Sequence, residues 1–385
     1  MLKLSEIDFS GQKVLLRANL NVPIENKKIS DDKRIRAVIP TINYILKQKP
    51  KQIVIIAHLG RPEGKVADGL RLNPVAGKLS ELLGMKVAKL DDCINVKIPD
   101  EKIVLLENLR FHPEEEAGDE LFARKLATYG DVYVNDAFAD SAKPHASISG
   151  VPKLIPGCIG LQFEKEIKNL SLESIERPAI AIMGGAKVSD KIKLIENMLK
   201  KVDVILLGGA MIFTFFRAVG LEVGKSRCEP DKIDLARKLT ENYKKQLVLP
   251  IDVVVADKIE ANAATRNAES HDIRQNEIGV DIGEETISAY KEMLNLAKTV
   301  IWNGPLGIIE IKEFSRGTEE IARHLAGLKA KTIIGGGDTA EVIDRLGLED
   351  KMTFVSTAGG ASLEFLEGKI LPGIAALEES EKKFK

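Results

Sequence analysis

Residues 331–339 join a short apolar strand pattern to a glycine turn, and this stretch strongly constrains how the chain can fold. The run Lys331–Ile334 is followed by glycines 335–337, then by Asp338 and Thr339 and a helical pattern at 340–346. Such a strand, glycine turn and helix start favour phosphate binding, because glycines let the backbone approach closely and the helix start carries unpaired N–H groups. Asp338 adds an oxygen ligand suited to Mg²⁺. A glycine triplet by itself would equally serve as a plain turn.

Three further apolar runs repeat this plan, at Ala179–Gly185, Val204–Gly209 and Val300–Gly304. In an open parallel sheet, the four runs would place their glycine turns along one edge, where ligands bind. With the charged side chains nearby, these turns predict a site for a nucleoside triphosphate with Mg²⁺; the side chains are Lys187, Lys191, Glu310 and Asp338. The chain has neither the P-loop pattern nor a G-x-G-x-x-G after its first strand, which excludes a P-loop protein and a simple dinucleotide-binding domain.

Length and composition predict a globular protein of two domains. The chain has 385 residues, 44% hydrophobic and 29% charged, with a net charge of -1. This balance gives no bulk attraction to nucleic acid or acidic membranes. Cys93, Cys158 and Cys228 form no C-x-x-C, which fits a reducing compartment and thiols without a role. Without a signal-peptide core or a membrane-spanning run, we expect a cytoplasmic protein. We also expect a monomer whose partners are small molecules, with no nucleic acid and no membrane.

Strand and helix patterns alternate through both halves of the chain, which is typical of an α/β fold with parallel sheets. In the first half, strands are predicted at 13–17, 52–57, 102–106 and 132–134, and helices at 32–48, 74–83 and 114–129. In the second half, helices are predicted at 190–201, 231–245, 284–297 and 318–328. We expect a helix at 163–175 to connect the domains, residues 262–279 to interrupt the alternation, and the charged tail 378–385 to fray.

Basic side chains follow the predicted strands of the first half. They are Arg17, His58, Arg61 and Arg110, with Lys143 further along and Arg34 at a helix start. Guanidinium groups bind carboxylate and phosphate in a forked, planar way, so the cluster predicts a small ligand with several negative charges. His112 and His145 either line this pocket or are ordinary surface histidines. A polyanion in one half and a nucleotide in the other favour phosphoryl transfer, and a carboxylate acceptor would need no general base.

Ten segments of the chain resemble the phosphoglycerate kinase family, in order and over nearly the whole length. They are Arg17–Pro23, Asp32–Ile35, His58–Pro62, Glu107–Phe111, Asn135–Phe138, Gly184–Val188, Asp190–Ile192, Trp302–Pro305, Gly335–Thr339 and Ser356–Ser362. The resemblance implies reversible transfer of a phosphoryl group from 1,3-bisphosphoglycerate to ADP, giving 3-phosphoglycerate and ATP with Mg²⁺, in glycolysis and gluconeogenesis. It also implies two doubly wound parallel-sheet (Rossmann-like) domains joined by a helix hinge. Residues 1–160 would bind phosphoglycerate, residues 161–369 would bind the nucleotide, and residues 370–385 would return to the first domain.

The resemblance further implies roles for individual residues. Phosphoglycerate would be bound by Asn19, Asn21, Arg34, His58, Arg61, Arg110 and Lys143. Arg34, Lys187, Gly337 and Gly360 would stabilise the phosphoryl group during transfer. The nucleotide would contact Gly185, Lys187, Lys191, Gly209, Gly279, Asn303, Glu310, Gly335, Gly336, Gly337, Asp338 and Thr339. Within this set Glu310 would bind the ribose hydroxyls, and Asp338 would hold Mg²⁺.

Four positions depart from the family pattern. Asn19 replaces an Asp, Ala142–Lys143 replaces His-Arg, Ala358 replaces the first glycine of a triplet, and Ile309 replaces an aromatic or similar residue. None of these changes removes the groups expected to carry phosphoryl transfer. Two other classes remain open from the sequence: a nicotinamide-dependent dehydrogenase, disfavoured by the missing dinucleotide fingerprint, and a two-domain anion-binding protein without catalysis, disfavoured by Lys187 together with Asp338.

Overall fold

The computed structural model describes residues 1–26, 28–173 and 175–385. They form two compact units, Met1–Lys168 with Ile370–Lys385, and Asn169–Lys369. Each unit is built on a parallel sheet covered by helices, which confirms the α/β fold class. The division of phosphoglycerate and nucleotide between two domains stays a prediction. Among the described residues, no helix is both long enough and apolar enough to cross a membrane.

The described residues of the first unit form nine short strands. They are β1 (Leu2–Lys3), β2 (Lys13–Ala18), β3 (Ile24–Glu25), β4 (Lys28–Ile29), β5 (Gln52–Ile56), β6 (Val87–Lys89), β7 (Ile103–Leu105), β8 (Val132–Asp136) and β9 (Gly157–Ile159). Seven of them form one sheet in the order β1-β9-β8-β2-β5-β7-β6, with every neighbouring pair parallel, and β3 pairs with β4. Parallel strands place their carboxyl ends at one edge, so the residues that follow β2, β5, β7 and β8 converge there.

Five helices before residue 171 accompany this sheet. They are α1 (Lys33–Lys47), α2 (Asn73–Leu83), α3 (Pro113–Ala117), α4 (Glu120–Ala127) and α5 (Leu161–Leu170). The buried side of α1 repeats every three to four residues, at Ile35, Val38, Ile42 and Ile45, and packs in one apolar core with β2 and β5. This burial holds Arg34, in the first turn of α1, at the edge of the sheet.

The single helix predicted at 114–129 is wrong, because the chain breaks it into α3 and α4. Gly118 takes a left-handed conformation, with φ of 69°, and ends α3. A Cβ atom on Gly118 would also lie only 2.6 Å from the carbonyl oxygen of Pro144. Both the backbone conformation and the close contact therefore favour glycine at this position. Asp119 then starts α4, since its carboxylate accepts a hydrogen bond from the Phe122 N–H at 2.7 Å.

Nine strands also occur in the part of the second unit that the structure describes. They are β10 (Ala179–Met183), β11 (Val204–Leu207), β12 (Leu247–Val248), β13 (Asp252–Ala256), β14 (Thr265–Glu269), β15 (Ile278–Ile282), β16 (Thr299–Asn303), β17 (Lys331–Gly335) and β18 (Phe354–Val355). Six form a parallel sheet in the order β12-β11-β10-β16-β17-β18. The four glycine-ended runs are therefore adjacent, as predicted. The interruption expected at 262–279 is part of an antiparallel sheet, β14-β13-β15.

Seven helices of the described residues cover this unit. They are α6 (Ile192–Leu199), α7 (Ile212–Ala218), α8 (Ile233–Asn242), α9 (Glu284–Leu294), α10 (Arg316–Ala326), α11 (Gly337–Arg345) and α12 (Gly360–Leu366). The sequence analysis did not predict α7. All residues of this helix except Arg217 are buried, so its sequence lacks the alternation of polar and apolar faces that indicates a helix.

The C-terminal tail is a helix that packs within the first unit, so the prediction of a frayed tail is wrong. Helix α13 spans Pro372–Phe384 and buries Ile374 and Leu377. The buried Ser380 hydroxyl accepts a hydrogen bond from the N–H of Gly157 in β9, at 3.0 Å. Lys383 donates from Nζ to the carbonyl oxygen of Lys153 at 2.7 Å. These partners precede the tail by more than 200 residues, so its local charge pattern did not indicate them.

Candidate functional site

A buried ionic network lies beneath the basic cluster of the first unit. Arg17, at the end of β2, is fully buried and lies 3.1 Å from the Asp140 carboxylate through Nη2. Its Nε donates to the hydroxyl of Ser147 at 3.0 Å, and Ser147 donates to the buried carboxylate of Glu115. All three donor groups of Arg17 are used internally, since Nη1 also donates to a main-chain carbonyl. Arg17 therefore supports the site and does not offer a free cation to a ligand.

His58 follows β5 and is held in its neutral form by this network. Its Nδ1 lies 3.2 Å from Nη2 of Arg17 and 3.5 Å from Asp140. Burial lowers the pKa of His58 to about 3, and although Asp140 opposes this shift, the charges of Arg17 and Arg110 add to it. Since a guanidinium can only donate, Nδ1 accepts and the proton belongs on Nε2. His58 can thus donate a hydrogen bond to an anion.

Gly60, in the loop after β5, forms hydrogen bonds with the loops that follow β2 and β7. The N–H of Gly60 donates to Oδ1 of Asn21 at 2.8 Å, and its carbonyl accepts from Nη1 of Arg110 at 3.0 Å. Arg34 donates to the main-chain carbonyl of Asn21, and Oδ1 of Asn19 lies 3.4 Å from the Asn21 N–H. The structure therefore brings Asn19, Asn21, Arg34 and Arg110 together around this one loop.

Several polar groups at this edge lack a full set of partners. Within residues 1–26, 28–173 and 175–385, the buried Nε of Arg110 has no hydrogen bond, although Glu116 lies 3.3 Å away. Nδ1 of His145 is also buried without a hydrogen-bond partner in these ranges, and burial lowers the pKa of His145 to about 4. Arg61 and Lys143 are exposed, and neither makes a side-chain hydrogen bond or ion pair with the described residues. A group with several acceptor oxygens would satisfy donors of this kind.

The second unit packs its glycine turns backbone against backbone. A Cβ on Gly184 would lie 1.9 Å from the carbonyl oxygen of Pro305, and one on Gly209 would lie 2.4 Å from the nitrogen of Gly185. Gly209 has φ of 68° and Gly185 has φ of 124°, which side chains with a Cβ rarely adopt. Only glycine allows the ends of β10, β11 and β16 to meet so closely.

The turn after β17 leaves a helix N-terminus open. Gly336 has φ of 89°, and α11 begins at Gly337, where a Cβ would meet no atom within 4 Å. Gly360, at the start of α12, has the same open surroundings. Thr339 is buried, and its hydroxyl accepts from the N–H of Gly304 at 2.8 Å, which ties this helix to the turn after β16. The N-terminus of α11 can therefore receive an anion.

Asn303 presents an unused donor beside this turn. Lys191 donates from Nζ to Oδ1 of Asn303, while the buried Nδ2 of Asn303 has no hydrogen-bond partner in the described part of the chain. A Cβ atom placed on Gly335 or on Gly336 would lie 3.2 Å or 3.3 Å, respectively, from this Nδ2. Burial lowers the pKa of Lys191. Lys187, in contrast, is exposed and has no side-chain partner among the described residues.

A cavity of about 240 Å³ lies beside the glycine turns. Its lining includes the predicted residues Gly185, Gly209, Gly279, Glu310 and Asp338. The lining also includes Ile309 and four apolar side chains that the sequence analysis did not connect with the site, namely Phe213, Val280, Leu306 and Ile308. A Cβ on Gly279 would lie 1.9 Å from Cζ of Phe213, which explains the glycine. Apolar walls with a few acidic groups suit a flat base and a hydroxylated sugar.

Asp281 is a further residue of this cavity that sequence reasoning missed. Its carboxylate accepts hydrogen bonds from the N–H groups of Gly317, at 2.6 Å, and Ile282, at 2.8 Å. Burial raises the pKa of Asp281 to about 7, even though these hydrogen bonds oppose the shift. The contact to Gly317 spans 36 residues, so no local pattern could indicate it.

The parallel sheets, the open helix N-terminus and the adjoining cavity together define a nucleotide-dependent phosphotransferase of α/β architecture. Comparison with known proteins makes this class specific: a family model described as phosphoglycerate kinase matches residues 4–369. The chain belongs to the phosphoglycerate kinase family, whose members transfer a phosphoryl group with a carboxyl group as acceptor. This membership excludes the dehydrogenase and the non-catalytic binding protein.

Individual relatives agree with the family assignment. The chain is 50% identical to a phosphoglycerate kinase of Dictyoglomus turgidum, over 98% of both chains. It is 48% identical to a cytosolic phosphoglycerate kinase of Triticum aestivum, also over 98% of both. The solved structure of phosphoglycerate kinase from Coxiella burnetii matches all of both chains with a TM-score of 0.91 at 39% identity. That from Pyrococcus horikoshii OT3 matches with a TM-score of 0.84 at 31% identity.

Proposed function

We propose that this chain catalyses reversible phosphoryl transfer between 1,3-bisphosphoglycerate and ADP, as a step of glycolysis and gluconeogenesis, through the residues named above. The observation that carries this proposal is the row of four adjacent glycine-ended strands beside the open N-terminus of α11 and the 240 Å³ cavity. Backbone N–H groups at this edge are free for phosphate oxygens, and the cavity offers apolar walls for the base.

The nucleotide is proposed to bind with its phosphates against Gly335–Thr339. Nδ2 of Asn303 has no hydrogen-bond partner among the residues that the structure describes and is available to a phosphate oxygen, while the ammonium of Lys191 adds a positive charge beside it. Gly185, Gly209 and Gly279 allow the nucleotide to approach the backbone, and Glu310 is placed on the cavity wall for the ribose hydroxyls.

Asp338 is the proposed magnesium ligand. Its carboxylate is exposed in the first turn of α11 and lines the cavity. Among the described residues, no group of three metal-ligating side chains occurs at this position. A single carboxylate fits Mg²⁺, which usually keeps several waters and takes its other ligands from substrate phosphates. When bound, the ion would neutralise negative charge on the phosphates.

The phosphoglycerate is proposed to bind Asn19, Asn21, Arg34, His58, Arg61, Arg110 and Lys143. When the reaction consumes ATP, the phosphoryl group is accepted by the carboxylate of 3-phosphoglycerate. A carboxylate is already a nucleophile and needs no general base. The neutral His58, with its proton on Nε2, fits a hydrogen-bond donor to the ligand and not a proton acceptor. Arg34, Lys187 and the N–H groups of Gly337 and Gly360 are proposed to stabilise the charge shared between donor and acceptor.

The remaining expectations concern partners and location. We infer a cytoplasmic monomer that acts on small molecules and engages neither nucleic acid nor membrane, with α5 as a hinge. The Triticum aestivum relative is named cytosolic, and the net charge of -1 gives no general attraction to polyanions.

A coupled assay of ATP formation tests the proposal. The purified chain, supplied with 1,3-bisphosphoglycerate, ADP and Mg²⁺, should form ATP, and chelation of Mg²⁺ should stop the reaction. Lys187→Ala should lower the turnover number by about a hundredfold or more, with a smaller effect on the Michaelis constant for ADP. Lys200→Ala, at the exposed end of α6, is the control and should retain parental turnover. An unchanged turnover number in Lys187→Ala would remove Lys187 from the proposed role.

A further inference from the structure

Three metal-ligating side chains meet in the first unit, in the loops around β7. Asp92 and Cys93 lie in the loop between β6 and β7, and His112 immediately precedes α3. The carboxylate oxygen, the thiol sulfur and the imidazole nitrogen all lie within 4.8 Å of one another. No role proposed above uses any of the three.

Local contacts hold two of these groups in position. Oδ1 of Asp92 accepts a hydrogen bond from the N–H of Cys93 at 2.6 Å and lies 2.6 Å from Nε2 of His112. The imidazole also contacts the ring of Phe122, with centroids 5.5 Å apart. The ligand atoms therefore converge through packing and main-chain contacts, which limits the ordering that a bound ion would require.

The cluster combines a buried sulfur with a route to solvent. Cys93 is 1% exposed, whereas the side chains of His112 and Asp92 are 24% and 48% exposed. An ion bound to all three would thus keep an open side for water. In a tetrahedral zinc site the bonds are about 2.0–2.3 Å long, so the ligand atoms need only small movements from their present separations. The Asp92–His112 hydrogen bond would open to admit the ion.

The surroundings of the cluster are acidic, since the carboxyl groups of Asp92, Glu115 and Glu107 lie close enough to the Cys93 thiol to act on it electrostatically. A divalent ion would bind the sulfur as thiolate and release the proton to solvent.

We propose that Asp92, Cys93 and His112 form a binding site for one divalent transition-metal ion of the zinc type, with water as a fourth ligand. A thiolate and an imidazole select such borderline ions over Mg²⁺ or Ca²⁺, which prefer oxygen ligands. The ion would link the loop before β7 to the start of α3. Its ligand His112 lies two residues after Arg110, so the bound ion would stabilise the segment that carries this arginine.

Cobalt is a suitable probe, because thiolate bonding to Co²⁺ gives an absorption band in the near ultraviolet. The whole chain, freed of metal by a chelator, should show this band on addition of Co²⁺ and saturate at one ion per chain. Zn²⁺ should then displace the cobalt. Cys93→Ser should lose the band, and His112→Asn should weaken Co²⁺ binding by at least about tenfold. Zn²⁺ should raise the melting temperature of the parent but not of Cys93→Ser.

The other two cysteines provide matched controls. Cys158→Ser, in β9, and Cys228→Ser should both keep the band and the Zn²⁺-dependent rise in melting temperature. A band that persists in Cys93→Ser, or that disappears in Cys228→Ser, would overturn the proposal, as would the absence of any band in the parent. If Cys93→Ser does not fold, as judged by circular dichroism, the partly exposed Asp92→Asn and His112→Asn decide the result. Parental Co²⁺ affinity in both would count against the site.

Discussion

Arg17 donates from Nη2 to Nδ1 of His58 across 3.2 Å, although the two residues are 41 positions apart in the chain. This contact fixes the tautomer of the imidazole, because the guanidinium cannot accept a hydrogen bond. Asp140 lies beside both groups, at 3.1 Å from Arg17 and 3.5 Å from His58, and balances the charge of the arginine. The proposed ligand-binding edge therefore rests on a buried ion pair.

Arg17→Met should strongly destabilise the first unit, because it leaves the buried Asp140 without its cation. Breaking one partner of a buried ion pair typically costs about 3–5 kcal/mol. Urea unfolding monitors this loss, and NMR titration should show a raised pKa for His58, since Arg17 contributes to its low value. Arg36→Met removes an exposed ion pair with Asp32 and should have little effect. Equal unfolding midpoints for the two variants would contradict the network.

Buried histidines should make the stability fall in mild acid. The pKa of His145 is lowered to about 4 in the folded chain, against an ordinary value of 6.5. Between these pH values the His145 imidazole takes up a proton in the unfolded chain but not in the folded chain. The contribution of neutral His145 to the free energy of unfolding is therefore complete above about pH 6.5 and is lost as the pH falls towards 4. Relative to His145→Gln, the parent should lose denaturant resistance across this range.

The control for this comparison is His271→Gln, since the His271 side chain is 68% exposed. Its unfolding midpoint should follow the parent at every pH. A constant difference between the parent and His145→Gln from pH 7 to pH 4 would show that His145 titrates normally.

Gly279→Ala should disturb the proposed nucleotide cavity through Phe213. The new methyl group would overlap the ring, at 1.9 Å from Cζ, and overpacking of this kind costs about 1–3 kcal/mol. We expect a lower melting temperature and weaker ADP binding, measured by calorimetry. The double variant Gly279→Ala/Phe213→Leu should recover part of the stability. Gly77→Ala, where a Cβ meets nothing within 4 Å, should be neutral or slightly stabilising.

Asn303→Asp should weaken nucleotide binding while keeping the contact to Lys191. The substitution preserves an acceptor for the Lys191 ammonium but replaces the free Nδ2 donor with a negative oxygen. Loss of a hydrogen bond to a charged group corresponds to about tenfold or more in affinity. ADP titration measures this change, with the exposed Asn295→Asp as the charge-matched control. Parental ADP affinity in Asn303→Asp would show that Nδ2 does not meet a phosphate.

Lys143→Arg should lower the Michaelis constant for 3-phosphoglycerate with little change in turnover. The exposed Lys143 has no side-chain partner among the described residues, and an arginine can bind a phosphate through two parallel hydrogen bonds. Lys143→Ala should raise the constant severalfold and weaken its salt dependence. Lys51→Ala, at the amino end of β5, should change neither quantity. A parental constant in Lys143→Ala at low salt would place Lys143 outside the site.

Local sequence patterns determined the α/β class and much of the second unit's proposed ligand-binding edge. Glycines after β10, β11, β16 and β17 are local signals, because a left-handed backbone or a close approach requires glycine at that residue itself. Apolar runs likewise predicted the strands, since their burial on both faces follows from composition. The roles assigned to individual site residues depended on the family resemblance.

Only the tertiary structure decided which distant groups meet. Phe213 and Gly279 share the cavity wall, and Arg17 reaches Ser147 across 130 residues. The first pairing brings α7 against β15 of the antiparallel sheet, and the second brings β2 against the segment between β8 and β9. No short window of sequence encodes contacts between segments so far apart in the chain. The same reason explains the tail: its charges suggested fraying, but Ser380 finds its partner 223 residues earlier, and burial against the first unit stabilises the helix more than local charge opposes it.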